Sequence, residues 1–353
     1  MVEQASFGHL FETGIYRPPS EGGSNSLLLR FTRNCPWNKC AFCAMYKTEK
    51  FEVRPVEEIK ADIDAMAKIR DELFEISQQR GLGNQINRQA IVELIEKYPE
   101  FNYDQGFAML VNWLMAGGRT AFLQDANSVI MKTADMVEAL QYLRKKFPSI
   151  QRVTTYARSR TLAQKKIEEL KAIRQAGLDR VHIGLETGDD QLLKKVNKGV
   201  DSQGHIKGGQ KAVEAGFQVS EYWMPGLGGK QLWENHARNT ARVLNEINPH
   251  YIRSRPFRPL PGTPMYEDYQ KGSLQLLSAK EQLAELKLTM EELEVTSKVC
   301  FDHAGNYWRS SRGGLMLSHD YEGYKFPEQK PEVLERIKDG MQADHPMPGF
   351  LQM

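Results

Sequence analysis

Short apolar runs alternate with longer amphipathic stretches along most of this 353-residue chain. The first run, Leu27-Leu28-Leu29-Arg30-Phe31, is mostly apolar without strict alternation, as expected of a strand in a parallel sheet covered on both faces. Five further strand-like runs, residues 120–124, 152–156, 180–185, 218–223 and 251–257, follow at the pace of a repeating unit. Between the runs, apolar residues recur at helical spacing: Val56, Ile59, Ile63, Met66 and Ile69 in one stretch, and Met136, Val137, Leu140 and Leu143 in another. Ile167, Leu170 and Ile173 make a third set, and Leu232, Ala237, Val243 and Leu244 a later one. Pro55 suits the first position of the first helix. Gln175-Ala176-Gly177 and Glu214-Ala215-Gly216 both place glycine where a helix turns left-handed before a strand. Six βα units result, which predicts an α/β class with parallel strands, either a partial barrel or a doubly wound open sheet.

Two regions depart from that rhythm. Residues 71–113 carry more helical sequence than a βαβ crossover needs, including Ile91, Leu94 and Ile95, and form an expected helical insertion. Their stripe of Phe107, Met109 and Trp113, continued by Met115, reads as core rather than as a cofactor contact. After Met265 the pattern changes: Ser278-Ala279-Lys280-Glu281 is a capping box, followed by Leu283, Leu286 and Met290. From Cys300 the chain turns polar and irregular, and its end, with a short helix near Val333 to Ile337, reads as surface closure. The expected organisation is a lead over 1–25, a Gly- and Ser-rich connector over 18–26 that leads into the core, a core over 26–270, and a C-terminal appendage over 271–353 covering the open side.

A net charge of +2 leaves no electrostatic footprint for nucleic acid or an acidic membrane. The first ten residues contain no apolar signal segment and no run is long enough to span a bilayer, so a cytoplasmic chain with reduced thiols is expected.

Three of the four cysteines, Cys35, Cys40 and Cys43, fall within nine positions. Structural zinc needs four ligands, yet the nearest histidines are His9 and His182. The C-x4-C-x2-C spacing also fits plant-type ferredoxins, but their fourth ligand would have to be the distant Cys300. A [4Fe–4S] cluster with one iron left open suits three thiolates better. Polar residues gather at the ends of successive runs: Asp125 and Asn127, then Arg158, then Glu186 with Lys198 beyond it, then a glycine-rich turn containing Pro225 and Gly226. Strand ends of this kind form the open mouth of α/β barrels. Arg253 and Arg255 share one face of the last run; facing inward they need an anionic partner, and facing outward they form surface ion pairs.

The cysteine triplet, with aromatic Phe42 before its last member, resembles the signature of the radical SAM superfamily, although the first gap is one residue longer than the usual C-x3-C-x2-C. His182-Ile183-Gly184-Leu185-Glu186-Thr187-Gly188, Lys198-Gly199 and the Pro261-Gly262-Thr263-Pro264 ending are similar to the branch that includes oxygen-independent coproporphyrinogen oxidase. The resemblance implies a partial (β/α)6 TIM-like barrel, a [4Fe–4S] cluster on Cys35, Cys40 and Cys43, and S-adenosylmethionine (SAM) at the open iron. It implies Phe42 near adenine, Glu186 on the ribose, Lys198 toward the SAM carboxylate, and Pro225-Gly226 beside the adenosyl group. Asp125 and Asn127 stand where relatives carry a Gly-Gly-Glu type segment for the methionyl ammonium, here without the glycines, and Arg158 is a further SAM candidate. A deoxyadenosyl radical would then take hydrogen from a small organic substrate, an anionic one if the two arginines face inward, walled by Trp37, Tyr222, Arg253 and Arg255. Cys300 and His303 are candidates for hydrogen-atom or proton donation, and a flavodoxin or ferredoxin would supply electrons. With one cysteine left over and no D-x-H-x-x-G segment, a single-cluster enzyme without cobalamin is expected. Two rivals stand beside it: an RNA-modifying member of the family, and a non-catalytic cluster or metal carrier.

Overall fold

The computed structural model describes residues 6–14, 25–344 and 346. In chain order it contains β1 (Ser26–Leu29), β2 (Thr32–Arg33), β3 (Glu52–Val53), α1 (Val56–Gln79), α2 (Arg88–Lys97), α3 (Gln105–Met115), β4 (Thr120–Leu123) and α4 (Thr133–Lys146). Then come β5 (Arg152–Ala157), α5 (Ser159–Gln164), α6 (Ile167–Gln175), β6 (Arg180–Glu186), α7 (Asp190–Lys195), α8 (Ser202–Glu214), β7 (Gln218–Trp223), α9 (Gly229–Ile247) and β8 (Tyr251–Ser254). The chain ends with α10 (Pro264–Gln270), α11 (Ala279–Glu292), β9 (Lys298–Cys300), β10 (Tyr324–Lys325) and α12 (Lys330–Met341). Most of the expected connector, 18–26, lies outside the described residues.

Two compact units divide the chain. The first draws on Met1–Asn34, Phe51–Tyr156 and Ala172–Asp179. Its strands β1, β4 and β5 lie side by side and parallel, with Leu27 opposite Ala121 and Ala121 opposite Val153. Helix α1 buries the expected stripe of Ile59, Ile63, Met66 and Ile69 and packs against α4. It runs unbroken to Gln79, past the point where the insertion was expected to begin, and Pro55 is its N-cap rather than its first helical residue. Phe107, Met109 and Trp113 are core residues as expected, whereas Met115, in the last turn of α3, is 60% exposed.

The second unit draws on Cys35–Lys50, Ala157–Lys171 and Arg180–Met353. Strands β6, β7, β8 and β9 are parallel neighbours in that order, and β10 closes the edge antiparallel to β9. All six expected strands form in the two units, and the α/β class with mostly parallel strands is consistent with the partial barrel expected. β8 ends at Ser254 because Pro256 has no N–H, but Arg255 N–H still donates to the Trp223 carbonyl and Phe257 N–H to that of Pro225. β9, which ends at Cys300, was not expected; it runs parallel to β8, with Ile252 opposite Val299, and from Cys300 onward the chain is irregular as far as β10 apart from a 3-10 turn at Ala304–Asn306. The C-terminal helix is not mere surface closure. Val333 and Ile337 are fully buried in one apolar cluster with Trp223, Leu244, Leu286, Val299 and Phe326, and burial on that scale is worth about 1.5–3 kcal/mol per large side chain. The Ser278–Glu281 capping box is present at the start of α11.

Candidate active site

The cysteine loop reverses direction through Asn34 and Asn38, whose φ values of 68° and 49° suit a short side chain that can bond locally. Asn38 N–H donates to Cys35 Sγ at 3.3 Å, its side-chain amide to the Tyr46 carbonyl, and Lys47 Nζ to the carbonyls of Asn38 and Cys40 at 3.0 Å each. The thiols of Cys35 and Cys43 are half-buried and that of Cys40 is buried. Burial pushes the Cys43 thiol up, and the neighbouring Cys40 and Cys35 add to it, so a cation nearby would favour its thiolate. Among the described residues no three His, Cys, Asp or Glu side chains converge as one ion would require. A four-iron cube makes no such demand, because each thiolate binds a different iron, and this donor set fits it.

Residues 196–199, just after α7, form a platform beneath this loop. Ala41 N–H donates to the Val196 carbonyl at 2.8 Å, Trp37 Nε1 to that of Asn197 at 2.7 Å, and Arg158 Nη2 to that of Lys198 at 2.7 Å. The Arg158 guanidinium lies 5.3 Å from the Trp37 ring centroid. Gly199, at φ +76°, passes so close under Trp37 that a Cβ would collide with the indole. Ala41 and Phe42 pack against a small apolar cluster of Leu192, Val196, Leu227, Phe257, Met265 and Leu274.

Beside the platform, Lys198 Nζ donates to Glu186 Oε1 at 2.8 Å and lies 5.8 Å from the Phe42 ring. Both side chains are largely shielded from water, yet each keeps an edge open, at 10% and 14% exposure. Glu186 sits at φ +63°, a strained position for a non-glycine residue, where the β6–β7 register shifts between Gly184 and Glu186. The bulge turns the carboxylate over Gly184, where a Cβ would clash with Glu186 Oε1 and stand 3.1 Å from Lys198 Nζ. Five residues singled out from sequence, Trp37, Phe42, Arg158, Glu186 and Lys198, are therefore brought together with the cysteine loop in one unit.

The Pro225-Gly226 turn after β7 is buried and held from elsewhere in the same unit. Gly226 N–H donates to Glu285 Oε1 of α11 at 2.7 Å. Burial pushes the Glu285 carboxyl up to about 8, the Gly226 N–H only partly opposing it, and pulls His236 down to about 4. Their 3.6 Å contact is thus between neutral groups rather than an ion pair. His236 Nε2–H donates to the Met224 carbonyl at 3.0 Å, which leaves Nδ1 to accept from Thr187 Oγ1 at 2.8 Å and ties the ends of β6 and β7 to α9. Sequence reading missed Glu285 and His236; nothing in their local pattern separates them from ordinary helix residues.

At the end of β8, Arg253 is buried and pairs with Asp302 at 3.0 Å, while Arg255, two residues on, lies 5.0 Å over the Tyr222 ring. Asp302 was missed although it adjoins His303. Cys300 donates through Sγ to the Tyr321 carbonyl at 3.5 Å, and burial raises its thiol to about 12. His303 caps the 3-10 turn Ala304–Asn306, accepting from Gly305 N–H at 3.1 Å, and burial, with Arg255 and Arg258 nearby, lowers it to about 4. In the other unit, Asp125 at φ 68° accepts from Arg30 Nε at 2.7 Å, and Asn127 is buried just ahead of the 3-10 turn Ser128–Ile130. Arg30 in turn donates to Glu12, whose carboxyl is held low chiefly by its bond from Arg33.

The family model described as "Radical SAM superfamily" matches residues 29–238, more than half of the chain. Over 130 residues the chain is 31% identical to the heme chaperone HemW of Bacillus subtilis (strain 168), covering 36% of this chain and 33% of that protein. Over 117 residues it is 23% identical to a tRNA uridine(34) acetyltransferase of Methanocaldococcus infernus, covering 33% and 22%. The chain spans about a third or less of the length of these relatives. The coproporphyrinogen III oxidase HemN of Escherichia coli is a solved structure similar at TM-score 0.44 and 16% identity, with 77% of this chain and 54% of that one covered. Among the described residues no helix is long and apolar enough to cross a membrane.

Proposed function

The chain belongs to the radical SAM superfamily, and from that premise we propose that it is an enzyme that cleaves SAM reductively and directs the resulting radical at a small organic substrate. The observation that carries this reading is the Glu186–Lys198 pair set beside the three-cysteine loop on a shared platform. A [4Fe–4S] cluster held there would supply one-electron reduction of SAM, the chemistry that would yield a 5′-deoxyadenosyl radical able to take hydrogen from the substrate. Cys35, Cys40 and Cys43 would hold that cluster. Lys198 offers a cation to the SAM carboxylate and Glu186 an acceptor to the ribose hydroxyls, through the edges that each keeps exposed. Phe42 backbone and the Pro225-Gly226 turn are our candidates for the adenosyl group, Arg158 steadies the platform, and Asp125 and Asn127, which belong to the other unit, are kept as candidates for the methionyl ammonium. Trp37, Tyr222, Arg253 and Arg255 form the substrate wall, where the protonated Cys300 is a hydrogen-atom donor candidate and the neutral His303 a substrate contact rather than a proton donor. A flavodoxin or ferredoxin in the cytoplasm would deliver electrons.

The partial match to a protein named a heme chaperone favours one rival, a cluster-bearing carrier that converts nothing. One assay separates the two. Anaerobically reconstituted protein, given dithionite and SAM, is expected to release 5′-deoxyadenosine; a full complement of iron and sulfide with no such product would leave the carrier standing.

A further inference from the structure

We propose that the end of β8 carries a fork for one carboxylate of the substrate, made by the Nε–H and Nη2–H edge of Arg253; the word substrate here rests on the radical SAM reading above. Arg253 is 1% exposed. Its Nη1 is spent, donating to the Tyr321 carbonyl at 3.1 Å and lying 3.0 Å from Asp302 Oδ2. Neither Nε nor Nη2 has a hydrogen-bond acceptor among the described residues. These two are the N–H groups that point the same way along one side of a guanidinium, the edge that grips both oxygens of a carboxylate at once. Two N–H groups of a buried cation left without an acceptor are costly, which is the mark of a position built for a partner.

The surroundings choose the partner's shape. The guanidinium carbon lies 4.2 Å from the Tyr321 ring centroid and 5.0 Å from that of Tyr251, so the rings restrain its plane and leave the edge in use. Tyr222 is its register neighbour on β7, and Arg255 stacks over that ring on the same face. The turn that brings Asp302 is clamped to β8: Ser254 Oγ donates to Asn306 Oδ1 at 2.9 Å, Asn306 Nδ2 donates to the Ser254 carbonyl at 3.0 Å, and Gly305 lies against Pro256. Asp302 thus fixes the guanidinium from one end without occupying the fork. A planar two-oxygen acceptor suits two parallel donors. A phosphate brings further oxygens that this edge does not serve.

Isothermal titration of the full-length, cluster-reconstituted protein with sodium acetate and with inorganic phosphate, each against sodium chloride, tests the fork. Acetate is expected to bind, more tightly than phosphate, and Arg253→Lys, which keeps the charge but not the fork, to weaken acetate at least about tenfold. Wild-type protein that ignores acetate, an Arg253→Lys protein that binds it equally well, or phosphate bound as tightly as acetate would overturn the proposal. Should Arg253→Lys fail to retain its cluster, wild-type crystals grown in acetate decide: planar density across Nε and Nη2 supports the fork, and a lone water at that edge refutes it. The titration does not depend on SAM cleavage. Acetate binding without deoxyadenosine formation would sink the radical reading and leave the fork in place.

Discussion

The cysteine loop and the Pro225-Gly226 turn belong to one unit, but different forces hold them. The loop rests on residues 196–199 through carbonyl acceptors, an indole and an arginine, with no buried acid in the set. The turn hangs on Glu285, a carboxyl from α11 that burial keeps protonated, and α11 lies beyond the family-matched segment. A loop held by backbone and ring contacts is indifferent to pH across the neutral range. A turn held by a displaced carboxyl is linked to protons.

Breaking the chemistry while sparing the platform gives the largest effect. Cys40→Ala removes a thiolate donor but leaves residues 196–199 untouched, and is expected to abolish both the visible absorption of the reconstituted cluster and deoxyadenosine release. Normal iron uptake in that variant would mean that the triplet is not the ligand set. Breaking the platform while sparing the donors comes next. Gly199→Ala pushes a Cβ into Trp37 and forces an unfavourable φ, so deoxyadenosine formation should fall about ten- to hundredfold from misplacement of the loop, with about 1–3 kcal/mol of stability lost. A variant with wild-type kinetics would show that the loop does not depend on this contact.

The smallest effect sharpens the contrast in pH. The Glu285 carboxyl is raised in the folded chain, so its favourable protonated state is fully present below the unfolded value of 4.5 and is lost as pH climbs through about 8. Wild-type stability should therefore decline from about pH 4.5 to about 8 and level off above that, and Glu285→Gln, neutral throughout, should flatten the decline. At the alkaline end the variant is expected to be the more stable by about 1–3 kcal/mol, measured by thermal unfolding at each pH. Parallel curves for the two proteins would remove Glu285 as the proton-linked element.

Glu186 and Lys198 were legible because their spacing follows the end of a clear strand, and the structure joins them at 2.8 Å. The six strands were legible for the same reason, since local period carries them. Glu285, His236 and Asp302 were not. Each acquires its role from a partner on another element, as when Glu285 meets Gly226 across 59 positions, and periodicity carries no record of such pairs. β9 escaped because three residues are too few to show alternation, and its burial comes from β8, β10 and the cluster packed around them. Met115 failed for the opposite reason: it continues the stripe in sequence, but at the end of α3 it is 60% exposed while Trp113, two residues before it, is fully buried.

The order of residues alone determined the α/β class, the three-thiolate donor set and the strand ends that carry polar groups, because each depends on chemistry within a few positions. Only the tertiary structure decided which buried charges are answered and which are not: that Glu186 finds Lys198, that Glu285 stays neutral behind a glycine, and that Arg253 keeps one edge unused. A charge is solvated or stranded according to what surrounds it in space, and those neighbours come from distant parts of the chain.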